Sequence, residues 1–349
     1  MRPLFLPAIL AAVVFLAPAL TAAPAFNAIY AFGDSLTDTG NVPAEPVLHY
    51  QGRWSNGPLW VEYLSSRLGL SYNPSNNFAR SGAQADDAFV QVTNFMPNVD
   101  VSSALFVVWA GGNDFLQEYD TYWFDDAAWN QHIAYAVSNL SNAVVNLQSK
   151  GARFVLVPNT VDVTKIPLIN YLPGLLLDYL QGKVTKFNRD LETALSALQR
   201  NFPSLTVYRF DVFANVNALL KNASTYGFTE TTKDAFSDVS LLDKRLDGPG
   251  ARYVFWDPIH PSTKTHAIAA DWFQSVVAPM TPRLTFKPGP TKLQLSLGQV
   301  HVTQSYTLQQ STNLTTWSDL QTYLCVATNQ LVEVTNASPK VFFRLKWAR

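Results

Sequence analysis

A doubly wound, three-layer α/β domain followed by a small all-β module is the fold class this sequence predicts. Two observations carry it. From about residue 26 to 279, short apolar runs alternate with longer stretches of helical periodicity, and strand–helix–strand repetition means parallel strands joined by helical crossovers. From Pro282 onward helical periodicity vanishes and alternating apolar–polar runs replace it.

The N-terminus carries a third pattern. Met1-Arg2 supplies a positive start, an apolar run extends from Leu4 to Leu20, and small residues cluster at Thr21-Ala22-Ala23-Pro24-Ala25. That order describes a secretory signal peptide over 1–23, with cleavage near Ala22 to Ala25. The small-residue exit and the prolines at 7 and 18 argue against an uncleaved anchor. No later uncharged segment approaches membrane-spanning length, so no stable membrane insertion is expected once the signal is removed.

Within the first domain, Ala28–Phe32 reads as a buried strand bounded by Gly33, and Trp60–Leu68 as a helix ending at Gly69. Ala104–Trp109 is a second strand, closed by Gly111-Gly112. Trp129–Lys150 reads as a long helix with Gly151 as its stop. Arg153–Val157 is the next strand. Leu175–Asn201 places Leu176, Leu180, Val184, Phe187, Leu191, Leu195 and Leu198 at helical spacing. Thr206–Phe210 is a strand and Thr263–Val277 a final helix. Such continuous apolar strands fit a sheet covered on both faces, with chemistry just beyond the strands' carboxyl ends. The larger domain is expected over 26–279. The β module is expected over 283–349, with strands around Leu293–Leu297, Tyr306–Gln309 and Val341–Leu345.

Bulk composition removes several function classes. The 349 residues are 48% hydrophobic and 15% charged, which excludes a disordered chain. A formal net charge of −1 without any basic run leaves no nucleic-acid footprint. Cys325 is the single cysteine, so intramolecular disulfides are excluded; flanked by Leu324 and Val326, it reads as a buried structural residue. His49, His132, His266 and His301 show no metal-ligand spacing and read as structural histidines; no cofactor or metal is expected.

The chemistry sits in four blocks. The first strand runs into Gly33-Asp34-Ser35, which holds a serine at the sheet's carboxyl edge. A serine needs an adjacent base to become a nucleophile. Asp257-Pro258-Ile259-His260 supplies one: three residues apart, the carboxylate accepts a hydrogen bond from Nδ1–H and leaves Nε2 for the serine. Trp109-Ala110-Gly111-Gly112-Asn113-Asp114 follows another strand, placing an amide donor at the same edge. Asn77-Phe78-Ala79-Arg80-Ser81-Gly82 offers a backbone N–H. Asp34 and Asp114 read as loop stabilisers, Asp38 and Asn41 as caps, and Trp54, Trp60 and Tyr63 as core and pocket wall.

With these blocks in order, the sequence resembles the GDSL family of lipases and esterases, also called SGNH hydrolases. The family's Ser, Gly, Asn and His fall on Ser35, Gly82, Asn113 and His260, and its Asp falls on Asp257. The resemblance extends over about residues 28–278 and includes FGDSLTDTGN and GRWSNGPLWVEYL. It is nearest the branch of plant GDSL esterases and bacterial phospholipase/hemolysin-type proteins, where Ser81-Gly82 stands in place of the usual Gly-Gly. The resemblance implies a flavodoxin-like α/β/α fold and metal-free hydrolysis of carboxylic esters. It implies Ser35, Asp257 and His260 as the triad, and an oxyanion hole from Ser35, Gly82 and Asn113. It also sets Tyr119, Tyr122, Trp123, Phe124 and Trp129 at the mouth of the cleft.

The expected substrate is a small-molecule, lipid or acetylated-glycan ester, met outside the cytoplasm. The rival reading is an exported glycan- or surface-binding protein on a hydrolase scaffold, which the intact triad and oxyanion set disfavour. The C-terminal module resembles small β modules of exported bacterial proteins through its QQSTNLTTWSDL segment. Trp317 reads there as core, and no partner is assigned to the module.

Overall fold

A computed structural model of the chain describes residues 26–44, 49–244, 248–280, 282–288, 292–298, 300, 305–325, 329–335 and 341–346. The signal read at 1–23 lies outside the described residues. The chain forms two compact units, one spanning Pro24–Ala278 and the other containing Pro279–Arg349.

The larger unit is built on a parallel sheet of β1 (Ile29–Gly33), β2 (Leu105–Trp109), β3 (Phe154–Pro158) and β4 (Thr206–Phe210), in that spatial order. Every residue of β2 is buried, as expected of a strand covered on both faces. The flanking helices are α1 (Trp60–Arg67), α2 (Ala85–Asn94), α5 (Asp126–Ser149), α6 (Gly174–Asn201), α7 (Val212–Lys221) and α8 (Thr263–Val277). Two single-turn helices, α3 (Asn113–Leu116) and α4 (Tyr119–Tyr122), lie between β2 and α5. A short parallel pair, β5 (Glu230–Asp234) and β6 (Tyr253–Phe255), completes the unit. On the free side of β1, Phe78 N–H donates to Ala31 O (2.8 Å) and Arg80 N–H to Gly33 O (2.9 Å). This one-bridge pairing aligns the segment before Gly82 along β1.

Helical periodicity predicts α6 well: Leu176, Leu180, Val184, Phe187, Leu191 and Leu195 are buried on one face. The long helix α5 begins before the expected Trp129, because the Asp125 carboxylate accepts Ala128 N–H and caps it. Its end is as read: Gly151 takes φ 102°, and Ala152 N–H returns to Leu147 O at 3.0 Å. Neither α2 nor α7 is anticipated. The buried face of α2 consists of Ala85, Ala88 and Val92, residues too small to print a strong apolar stripe.

Among the described residues the smaller unit is entirely β, as predicted. One sheet orders β11 (Asn329–Thr335), β8 (Lys292–Gly298) and β7 (Arg283–Pro288); the other orders β10 (Ser318–Leu324), β9 (Ser305–Ser311) and β12 (Phe342–Lys346), all antiparallel. Leu284, Leu295, Leu297, Tyr306, Leu308, Val332 and the expected Cys325 form its core. Trp317 is a correction: it is half-buried outside that core, under the Arg344 guanidinium (4.3 Å to the ring centroid), with its indole N–H donating to Leu314 O. Among the described residues, no helix is long and apolar enough to cross a membrane.

Candidate active site

Ser35 owes its position to the abrupt end of β1. Gly33 has φ 145°, and a Cβ there would stand 2.0 Å from Trp109 O, so no other residue fits between the ends of β1 and β2. Gln91 on α2 clamps the same glycine from both sides, its Oε1 accepting Gly33 N–H (2.8 Å) and its Nε2 donating to Gly33 O (2.9 Å). The following turn is closed by Asp34: its carbonyl accepts Thr37 and Asp38 N–H, and its carboxylate accepts Leu36 N–H (2.9 Å). Burial, opposed by the Leu36 amide and reinforced by the Asp114 charge, pushes the Asp34 carboxyl up to about 7.

The loop between β6 and α8 carries Asp257 and His260. Its carboxylate organises it: Asp257 Oδ1 accepts Ile259 N–H (2.9 Å) and His260 N–H (2.7 Å), while Trp256 N–H donates to His260 O (2.8 Å). His260 Nδ1 then lies 2.9 Å from Oδ1 and 2.7 Å from Oδ2 of Asp257. His260 Nε2 lies 2.8 Å from Ser35 Oγ. Burial opposes ionisation of Asp257, but the hydrogen bonds and charge of His260, with a further bond from His49, outweigh it and hold this carboxyl well below the ordinary range. All three residues are largely buried, at about 6% exposed.

The other two blocks are stitched to each other beside Ser35. Asn113 Nδ2 donates to Ala83 O (3.0 Å), and Gln117 Nε2 to Gly82 O (2.8 Å). The Asp114 carboxylate accepts Ala85 N–H (3.0 Å), and Asp38 accepts Gly40, Asn41, Val42 and Ser81 N–H. Asp38 and Asp114 are thus the cap and the loop stabiliser their positions suggested. One bond to Ala83 fixes the Asn113 amide and leaves its second hydrogen for another acceptor. Among the described residues, the Ser35 and Gly82 N–H groups likewise have no acceptor.

Ser35, Asn113 and His260 open onto a cleft of about 860 Å³, open solvent included. It crosses the carboxyl edge of the sheet from β1 towards β4. Leu116, Val163, Ile166, Val212, Val216 and Trp272 make much of its wall, so it is predominantly apolar.

The model of the GDSL-like lipase/acylhydrolase family matches residues 29–273. The chain belongs to this family. It is accordingly a hydrolase of ester bonds. This GDSL hydrolase is 25% identical over 277 residues to the thermolabile hemolysin of Vibrio parahaemolyticus, a match that takes in 70% of this chain and 62% of the hemolysin. It is 24% identical over 312 residues to the GDSL esterase/lipase APG of Arabidopsis thaliana (70% and 88% of the two chains). It is 22% identical over 316 residues to the phosphatidylcholine-sterol acyltransferase of Aeromonas hydrophila (71% and 89%). Among solved structures, a catalytic mutant of the acetylxylan esterase Axe2 of Geobacillus stearothermophilus aligns with 72% of this chain and 93% of its own, at TM-score 0.41 and 17% identity.

Several features of this GDSL hydrolase depart from what its sequence suggests. None of Tyr119, Tyr122, Trp123, Phe124 and Trp129 lines the cleft. Trp129 is core, stacked on Phe115 (5.3 Å), whereas Trp123 and Phe124 are exposed. Trp60 is core, but Trp54 lies across the His260 ring, centroids 5.1 Å apart with 34° between planes. His49, read as a structural histidine, has its Nε2 3.3 Å from Asp257 Oδ2. His266 is buried in the cleft wall, where burial and the His260 charge lower it to about 3. Around the site, Gly33 carries a signal that sequence reading uses and Trp54 is the wall residue expected of it, whereas Gln91 and His49 reach the site through contacts that no local spacing encodes.

Proposed function

We propose that this GDSL hydrolase is an exported serine esterase that cleaves carboxylic esters bearing an apolar acyl chain through an acyl-enzyme. The observation that carries the reading is the unbroken line of contacts from Ser35 Oγ to His260 Nε2 and from His260 Nδ1 to the Asp257 carboxylate. Ser35 attacks the ester carbonyl while His260 takes its proton. Asp257 holds the tautomer with Nε2 unprotonated and stabilises the imidazolium that forms. The tetrahedral oxyanion is held by Ser35 N–H, Gly82 N–H and the second Asn113 amide hydrogen, donors that cost no reorganisation because hydrogen bonds already fix them. His260 returns its proton to the leaving alcohol. Water, deprotonated by His260, then releases the acid and restores Ser35.

The apolar cleft supports an acyl chain over a sugar ring, whose hydroxyls would find few partners there. A relative named for acyl transfer from phosphatidylcholine is consistent with that chemistry. Export rests on the ordered charge, apolar run and small-residue exit within residues 1–25. The test is hydrolysis of p-nitrophenyl acetate, butyrate and palmitate by the mature chain beside Ser35→Ala. Turnover is expected to favour acyl chains longer than acetyl, and Ser35→Ala to lower kcat by about 10⁴-fold or more. A variant that keeps its rate overturns the assignment.

A further inference from the structure

Asp257 is engaged from two sides. Its Oδ1 already accepts two backbone N–H groups, and both oxygens face His260 Nδ1. A carboxylate offers about four lone-pair sites, and a buried charge is stable only when they are filled. The remaining approach to Oδ2 is taken by His49 Nε2 at 3.3 Å, across 208 positions of chain. Both side chains are almost fully buried.

The surroundings of His49 leave its ring little freedom. Trp54 meets it edge-on (5.2 Å between centroids), Phe236 lies tilted against it (5.4 Å), and Trp256 closes a third side (6.4 Å). Trp54 is the same indole that covers His260. Trp54 therefore packs against both histidines that face Asp257. The ring is held in place by apolar contact while Nε2 faces an ionised carboxylate, the arrangement expected of a charge-assisted donor rather than of packing alone.

We propose that His49 is a positioning residue for the triad. Its Nε2–H holds Asp257 Oδ2 and so fixes the rotation of the carboxylate that orients His260 towards Ser35. It touches no reacting atom and acts through Asp257. The inference rests on the triad reading above. Its expected signature is a fall in kcat with KM nearly unchanged, because orientation of the base matters to the chemical step and not to holding the ester.

The experiment compares the full mature chain with His49→Phe, His49→Gln and Ser35→Ala on p-nitrophenyl butyrate, with thermal melting of each. Phenylalanine keeps the packing and removes the donor; glutamine keeps an N–H near the place of Nε2. His49→Phe is expected to lower kcat by about 10–100-fold with KM within about twofold, and His49→Gln to recover to within about threefold of the parent, with similar melting temperatures. The inference is overturned if His49→Phe keeps the parental kcat, or if His49→Gln is folded yet as slow as His49→Phe. Those results leave the triad intact so long as Ser35→Ala is inactive. Activity surviving in Ser35→Ala sinks the triad reading instead.

Discussion

Ser35 Oγ and His260 Nε2 stand 2.8 Å apart although 225 positions separate the two residues in the chain. The first is set by the end of β1 and the second by a loop that Asp257 folds upon itself. Both side chains are largely buried, each about 6% exposed at the cleft wall.

On the proposed mechanism the pair acts as one unit. His260→Ala and Asp257→Asn are each expected to lower kcat by about 10³–10⁴-fold, and Ser35→Ala/His260→Ala to be scarcely slower than Ser35→Ala alone. Steady-state kinetics on one ester decides it: additive losses would mean that the two residues serve separate steps.

Asn113 is held by Ala83 O through only one of its two amide hydrogens. Asn113→Ala is expected to cost about 10²–10³-fold in kcat with little change in KM, the pattern of a donor used in the transition state. A variant that raises KM at constant kcat would make Asn113 a ground-state binding residue.

Val216 on α7 lines the cleft beyond Ser35. Val216→Trp should occupy the space proposed for the acyl chain. The expectation is a fall of about tenfold or more in kcat/KM for p-nitrophenyl palmitate, with acetate within about threefold of the parent. Equal losses on both esters would show that the chain lies elsewhere.

The pH dependence of stability follows from Asp34. Burial raises its carboxyl from the ordinary 3.8 to about 7 in the folded protein. Between those values the folded state keeps a proton that the unfolded chain has lost, so this contribution is present below about pH 4 and disappears as pH rises to about 7. Asp114, likewise raised to about 7 by burial, acts in the same sense. His266 opposes them: held down to about 3 by burial, it contributes stability above pH 6.5 that is lost as pH falls. Asp34→Asn keeps an acceptor for Leu36 and removes the titration. Urea unfolding at several pH values between 4 and 7 should show the parent's advantage over the variant shrinking by about 1.4 kcal/mol per pH unit. A constant difference refutes the assignment.

Much of the site is legible in the sequence because its parts are local. Ser35 follows a buried apolar strand, and Asp257 and His260 share one short loop, so backbone geometry alone brings each to a strand's carboxyl end. Leu176 to Leu195 announce α6 because large apolar residues recur at its period. The elements that escape are those whose burial is carried by small or scattered residues: α2 through Ala85, Ala88 and Val92, and β10, where Ser318 to Thr322 are exposed and print no alternation.

By itself the sequence determined the α/β class, the all-β character of the second unit, and the residue types and order of the four blocks. Those properties depend on periodicity and on neighbours a few positions apart. Only the tertiary structure decided that His49 rather than another histidine meets Asp257, that Trp54 covers His260, that Gln91 clamps Gly33, and that the aromatic residues after Asn113 turn away from the cleft. Each of these is a contact between distant segments, chosen by the order of strands and the packing of loops over the sheet's edge, and no spacing within a single segment records it.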